Sequence, residues 1–232
     1  MTSSSFSSNA LSVLLLWSVS AWSASTPVQV EIPTRAFGKR AVPPIHGTLW
    51  LALDKTAERR AVVLIAPPTV DAATWQSTAE IISKAGFDVV ALEPRKNEQQ
   101  YQRALLEDMQ SGVLFMKADP RVRAATAVVI GSEAAANVAA HYAAASKQMS
   151  LVLGALVLIN PDKVINGITL FDALEKIRGI PVLLLSSKPA IVQAKNTCPT
   201  VCSSELSKET GRGIVARTTV LKFLKLLVRP HG

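Results

Sequence analysis

The chain has 232 residues, 49% of them hydrophobic and only 5% aromatic, which is enough length and apolar content for one domain with a full core and excludes a disordered polymer. Its formal charge of +8 favours anionic surroundings in general. The Lys and Arg residues are scattered, however, and no basic run is interleaved with aromatics, so nucleic acid is not an expected partner.

The N-terminus reads as a leader. Polar residues 1–9 precede the apolar stretch ALSVLLLWSVSAW and then SASTPV, and the first charged side chain is Glu31. A short apolar core followed by small residues resembles a secretory signal peptide, although its first region carries no Lys or Arg. Val19-Ser20-Ala21 and Ala21-Trp22-Ser23 both satisfy the small-x-small rule. The expectation is a signal over residues 1–25, cleaved between 21 and 25, and a periplasmic or secreted domain over 26–232. An uncleaved membrane tether is the alternative, although the apolar run falls short of the roughly 20 residues that span a bilayer.

Beyond the leader, strand-like runs alternate with helix-length segments. HGTLWLAL (46–53) alternates as a half-buried strand does. AVVLIAPP (61–68) is a continuous run stopped by two prolines and reads as a strand buried on both faces. Residues 71–86 form a predicted helix with Asp71 as N-cap and Gly86 as terminator. A strand over 87–94 and a helix over 97–118 follow, the helix weakened by Gly112. Then come a strand (126–131), an alanine-rich helix (133–148), a strand (154–161), a helix (169–179) ended by Gly179, a strand (180–187) and a closing helix (214–228). This order predicts an α/β fold, a mainly parallel sheet with helices on both faces and the ligand crevice at the C-terminal strand ends. Cys198 and Cys202, in CPTVC, are expected to pair in an oxidising compartment and pin a local loop. No set of metal ligands and no cofactor motif stands out.

The phrases GTLWLAL, RAVVLIAPP, AGFDVVALEPR, KADPRVRAATAVVIGSEAAANVA, ALVLINP and RGIPVLLLSS resemble the α/β-hydrolases, close to the small dienelactone-hydrolase-like esterases. The resemblance runs from about Gly47 to Val228. It implies a nucleophile on a tight strand-to-helix elbow, a carboxylate after the IPVLLL strand, a histidine before the last helix and an oxyanion hole built from backbone N–H groups.

Each of those slots is altered. The elbow reads Gly131-Ser132-Glu133-Ala134-Ala135, so Glu133 stands where the nucleophile would. A shift of one residue would offer Ser132 instead, at the cost of placing β-branched Ile130 in a small-residue slot. Ser132 also reads as a helix cap and Glu133 as a carboxylate in a first helical turn. Ala190 stands where the acid would, and Arg212, in Gly211-Arg212-Gly213, replaces the histidine. A guanidinium stays protonated and cannot act as the base. In the oxyanion slot Pro67 and Pro68 have no N–H, leaving Thr69 or Val70 as donors.

Glu133 and Arg212 are expected to converge at one crevice, as an ion pair that locks an inert site or as charge presented to a ligand. Asp162, after ALVLINP, is the best alternative acid, or else a turn residue. His46 is expected near the wrong end of the sheet, His141 away from the crevice and His231 past the last helix. The closing segment VARTTVLKFLKLLVRP carries Arg217, Lys222, Lys225 and Arg229 among apolar residues, a pattern that fits packing on the sheet and, as a minor reading, contact with an anionic membrane.

The leading expectation is an exported, non-catalytic α/β-hydrolase-like protein that binds an unidentified small molecule or protein through Thr69, Glu133, Asp162 and Arg212. The alternative is a carboxylic-ester hydrolase with a remodelled site.

Overall fold

Runs of β-branched and leucine residues form the middle of the sheet. In the computed structural model the described residues are 26–34, 43–53, 60–95, 101–122, 124–145, 153–165, 167–188, 202–205 and 214–227. The expected leader over 1–25, together with Ala190, Cys198, Arg212 and His231, lies outside them.

Eight strands form one sheet: β1 (Val28–Ile32), β2 (Ile45–Trp50), β3 (Ala61–Ile65), β4 (Asp88–Glu93), β5 (Ala127–Ser132), β6 (Leu153–Ile159), β9 (Val182–Leu185) and β10 (Cys202–Glu205). Their spatial order is β1-β2-β4-β3-β5-β6-β9-β10. Every contact from β4 to β10 is parallel, and β2 runs antiparallel to both β1 and β4. A separate two-residue hairpin joins β7 (Val164–Ile165) to β8 (Ile168–Thr169).

The period-2 alternation of the strands divides the core in two. Val63 and Ile65 point with Val129, Leu156 and Leu184 into one cluster, which packs against α2 (Tyr101–Ala118), α3 (Ala134–Ala145) and α4 (Leu170–Lys176). Val62 and Leu64 join Ile130, Val157 and Leu183 in the other, covered by α1 (Gln76–Lys84) and α5 (Ile214–Leu227). Helices therefore lie on both faces, and β3, β9 and most of β5 and β6 are buried throughout.

Boundaries follow from local chemistry. The two prolines stop β3 because they cannot donate to a neighbouring strand. The Asp71 carboxylate accepts from the Ala73 N–H at 2.9 Å and caps a short 3₁₀ helix (Ala72–Trp75) that leads into α1. Gly86, at φ 94°, closes α1 in the left-handed region. Gly112 is tolerated inside α2 because the helix lies close to the sheet there: a Cβ would stand 2.8 Å from Leu92 Cδ1 and 3.2 Å from Val63 Cγ1. Three elements were not anticipated from the sequence, namely β1, the β7–β8 hairpin and β10.

A buried ion network fastens the chain after β4 to α2. The Arg95 guanidinium, on a side chain 13% exposed, bonds Asp108 at 2.8 Å and Glu107 at 3.1 Å. Arg103 reaches Glu107 from the preceding turn at 3.1 Å. Asp108 is fully buried. Burial pushes its carboxyl above the usual carboxylate range, against the pull of Arg95. Burial also works against the Arg95 cation, but Asp108 and Glu107 together outweigh it and hold the guanidinium above its ordinary value.

Because Asp108 binds its proton more tightly folded than unfolded, its ionisation costs stability as pH rises through its raised pKa. Replacing Arg95 by Met removes the main influence that holds this pKa down. The variant is expected to lose about 3–5 kcal/mol at pH 7 and clearly less at pH 4, measured by urea unfolding at both values. Equal losses at the two pH values would show that the Arg95–Asp108 charge pair is not what the substitution removes.

Candidate functional site

The parallel strands end on one side of the sheet, and Thr69, Glu133 and Asp162 lie on the turns that leave them. The tightest turn follows β5. Its chain passes from the last strand residue, Ser132, into α3 at Ala134 through Glu133 alone. Glu133 adopts φ 52°, one of two non-glycine residues with positive φ among the described residues. Such a conformation is uncommon for a residue with a Cβ and is kept where its surroundings dictate it. Here the Glu133 N–H donates to the Ile159 carbonyl at 2.8 Å, and the Glu133 carbonyl accepts from Ala136 N at 3.0 Å and Asn137 N at 3.4 Å.

The residues around Glu133 are small for a reason. A Cβ on Gly131 would stand 2.8 Å from the Ala135 carbonyl oxygen and 2.9 Å from Ala136 Cα. Those are main-chain atoms that cannot swing aside. The Glu133 side chain is exposed at the mouth of this turn. By strand alternation Ser132 falls in the row of Ile130 and Val128, the row packed towards α1 and α5, and it pairs with Ile159. The N–H groups of Ala134 and Ala135 open α3, where a helix has no acceptors of its own.

The neighbouring strand ends in the second left-handed residue, Asn160, at φ 47°. Its N–H donates to the Leu185 carbonyl at 2.7 Å, and its Oδ1 accepts from Ser187 N at 3.4 Å. Two residues on, Asp162 is held from α3. Asn137 Nδ2 donates to the Asp162 carbonyl at 2.7 Å, and Asn137 Oδ1 accepts from the Asp162 N–H at 2.9 Å. The Asp162 carboxylate forms an ion pair with Lys188, which follows β9. The Lys188 backbone N–H donates to Ser186 Oγ at 3.1 Å. Glu133, Asp162 and Lys188 thus stand just beyond the ends of three adjacent strands, β5, β6 and β9. Sequence reasoning missed Asn137 and Lys188. The one available signal was an asparagine inside an otherwise alanine-rich helix.

The remaining candidates fall as follows. Thr69 is exposed on the turn after β3. Val70 is not an oxyanion donor in this arrangement, because its N–H already donates to the Pro67 carbonyl at 2.9 Å. His46 corrects an expectation. β2 is antiparallel, so His46 pairs with Glu93 at the C-terminal end of β4 and lies on the crevice side of the sheet. Three strand spacings still separate it from β5, about 14 Å. His141 is exposed on α3, two turns past the elbow. Cys202 opens β10 opposite Val182, and no disulfide occurs among the described residues. In α5, Val220, Phe223 and Leu224 are buried against the sheet, while Lys222 and Lys225 are exposed. No helix among the described residues is long and apolar enough to cross a membrane.

No family model and no curated protein sequence matches the chain. Solved structures do. A Pyrococcus furiosus esterase superposes with a TM-score of 0.67 at 16% identity, over 89% of this chain and 92% of its own. A dienelactone hydrolase from Anabaena variabilis matches with a TM-score of 0.62 at 13% identity, over 88% and 97%. Thermogutta terrifontis esterase 2 matches with a TM-score of 0.64 at 13% identity, over 86% and 93%. The chain has the α/β-hydrolase fold.

Within that fold the expectation of a non-catalytic binding protein is corrected. The three structures named above share the fold over nearly the whole chain and are esterases and a dienelactone hydrolase, and they favour the alternative reaction class, an ester hydrolase.

The elbow makes a direct prediction. Gly131→Ala forces a methyl into main-chain atoms that cannot yield. It is expected to cost about 1–3 kcal/mol of stability, the range of overpacked sites, read as a lower urea midpoint. Gly86→Ala is the contrast: no atom lies within 4 Å of its Cβ position, and its cost comes from its φ of +94° alone. If Gly131→Ala were neutral, the close contact between the elbow and α3 would be refuted.

Proposed function

We propose that this protein hydrolyses carboxylic esters, with the Glu133 carboxylate as the base at the strand-to-helix turn. The observation that carries this reading is the left-handed backbone of Glu133, exposed between β5 and α3 and bonded on both sides. The esterases that share the fold support the reaction class.

A carboxylate at this turn needs no histidine if it acts on water. Glu133 accepts a proton from a water molecule as the water oxygen bonds to the acyl carbon. The carbonyl electron pair moves onto the acyl oxygen. When the tetrahedral species collapses, the bond to the alcohol oxygen breaks and that oxygen takes the proton from Glu133. Ester and water become acid and alcohol, and the carboxylate is regenerated. The negative charge on the acyl oxygen forms beside the start of α3, where the N–H groups of Ala134 and Ala135 and the positive end of the helix favour an anion. Arg212, protonated at neutral pH, takes no part as a base.

The test is hydrolysis of p-nitrophenyl acetate and butyrate by the parent protein, Glu133→Gln and Ser132→Ala. Glu133→Gln is expected to lower kcat by about 100-fold or more, the scale of a lost general base, and Ser132→Ala by no more than about 3-fold, since it removes no group in the mechanism. Loss of turnover in Ser132→Ala alone would move the nucleophile to that serine. A parent protein no faster than buffer would sink the ester-hydrolase reading.

A further inference from the structure

The ion pair at the strand ends is anchored far more deeply than an exposed pair requires. Lys188 and Asp162 keep side-chain exposures of 50% and 47%, and exposed pairs contribute little to stability. Yet Asp162 is gripped by Asn137, which is itself 1% exposed. The Asn137 amide matches the N–H and the carbonyl of Asp162 together, at 2.9 and 2.7 Å. Two such bonds to one residue fix both its position and its orientation. The far side is anchored too. Ser187 N–H donates to Asn160 Oδ1, and Lys188 N–H donates to Ser186 Oγ, on a serine 4% exposed. This arrangement fixes where a charge stands.

The charge stands near the elbow. β5 and β9 are separated only by β6, so their backbones lie about 10 Å apart, a gap that a lysine side chain and a bound ester span between them. Asn137, one turn after Glu133, bonds the Glu133 carbonyl through its N–H and Asp162 through its side-chain amide, and Asp162 in turn pairs with Lys188. Resting on the ester-hydrolase reading above, we propose that Lys188 is the cation that meets the developing oxyanion, and that Asn137 is the positioning residue that holds it there through Asp162. The charge balance fits. As Glu133 takes its proton, the negative charge leaves its carboxylate and appears on the acyl oxygen. An ammonium bonded straight to Glu133 would stabilise the resting carboxylate and weaken the base. Asp162 keeps Lys188 from doing so. An ammonium has three donors, and one suffices for Asp162.

Kinetics and chemical labelling together test the proposal. With p-nitrophenyl butyrate, Lys188→Gln is expected to lower kcat by about 10- to 100-fold with KM changed less than about 3-fold, the split of a group felt mainly in the transition state. Lys188→Arg should recover part of the loss. Asn137→Ala should lower kcat about 10-fold. Asp162→Asn leaves the amide clamp in place and should do the same, which keeps the test valid if Asn137→Ala folds poorly. Separately, acetylation by an N-hydroxysuccinimide ester, read by peptide mass spectrometry with exposed Lys222 as internal reference, should rise about 3-fold or more at Lys188 in both Asn137→Ala and Asp162→Asn, as pairing is lost.

Unchanged kcat in Lys188→Gln would overturn the cation's role, whatever Glu133→Gln does. Unchanged labelling in both variants would overturn the positioning role of Asn137. If the parent protein shows no turnover, the ester-hydrolase reading and the oxyanion role fall together. The labelling ratio then decides the Asn137–Asp162–Lys188 linkage independently of turnover.

Discussion

The reversal of the chain after β5 is the constraint on which the rest of the candidate site depends. A strand buried in the sheet must turn, within one residue, into a helix that packs back on the same sheet. The turn leaves no room for a side chain at Gly131, where main-chain atoms of Ala135 and Ala136 would lie within 2.9 Å of a Cβ. It also places Glu133 in the left-handed region and ties its N–H to the end of β6. The alanine-rich α3 follows from the same demand. Residues Ala134 to Ala140 are all buried, and larger side chains would lift the helix away from the sheet and open the turn. With the helix axis set this way, its N-terminus meets the crevice, and Asn137, one turn on, meets the chain leaving β6.

The two groups of charges near the strand ends play different parts, and burial separates them. Arg95, Glu107 and Asp108 are almost entirely removed from water. Desolvating three charges is costly, and the gain from pairing roughly offsets that cost, so the network's main effect is a large penalty for losing any one member. It fastens the chain leaving β4 to α2. Asp162 and Lys188 are half in water, where the same pairing is weak. Their positions are set by neighbours, chiefly the buried Asn137 amide, and their charges stay accessible. A buried network that fixes the chain to a helix and an exposed pair beyond the strand ends are complementary uses of the same chemistry.

Much of the fold was legible because the central strands are buried on both faces. AVVLI, DVVALE and VLLL can be little else, and the prolines after β3 and the glycine after α1 mark their neighbours. The edges were harder to read. β1 alternates, with Val30 and Ile32 inward, but it comes soon after an apolar N-terminal run and offers only five residues. β10 is CSSE, a strand made by pairing with β9 rather than by an apolar pattern. The direction of β2 could not be read either, and that alone put His46 at the wrong end of the sheet. At the site, the spacing from Gly131 pointed to Glu133, since a glycine-requiring turn leaves a local trace. Asn137 left only its oddity in an alanine-rich helix: its partner is 25 residues away, and nothing in that helix announces which side of it faces another loop. Lys188 was passed over because its segment was searched for a missing carboxylate, and the residue that matters there has the opposite charge.

The altered slots bear on one another once the chemistry is considered as a whole. A serine at the elbow needs a separate base, because a hydroxyl is a poor nucleophile until its proton is taken, and that base needs a carboxylate to orient it. Replacing the serine by a carboxylate removes the reason for the histidine, and without the histidine the acid after β9 has nothing to orient. Under the proposed mechanism, the placement of Glu133, Arg212 and Ala190 that the resemblance implies is one substitution in chemical terms, with water as the attacking group. What such a site still requires is positive potential where the acyl oxygen becomes negative. In this chain the candidates are the first N–H groups of α3 and Lys188, on either side of Asp162 and joined through Asn137. The requirement of the chemistry and the unusual depth of that anchoring lead to the same residues from independent directions.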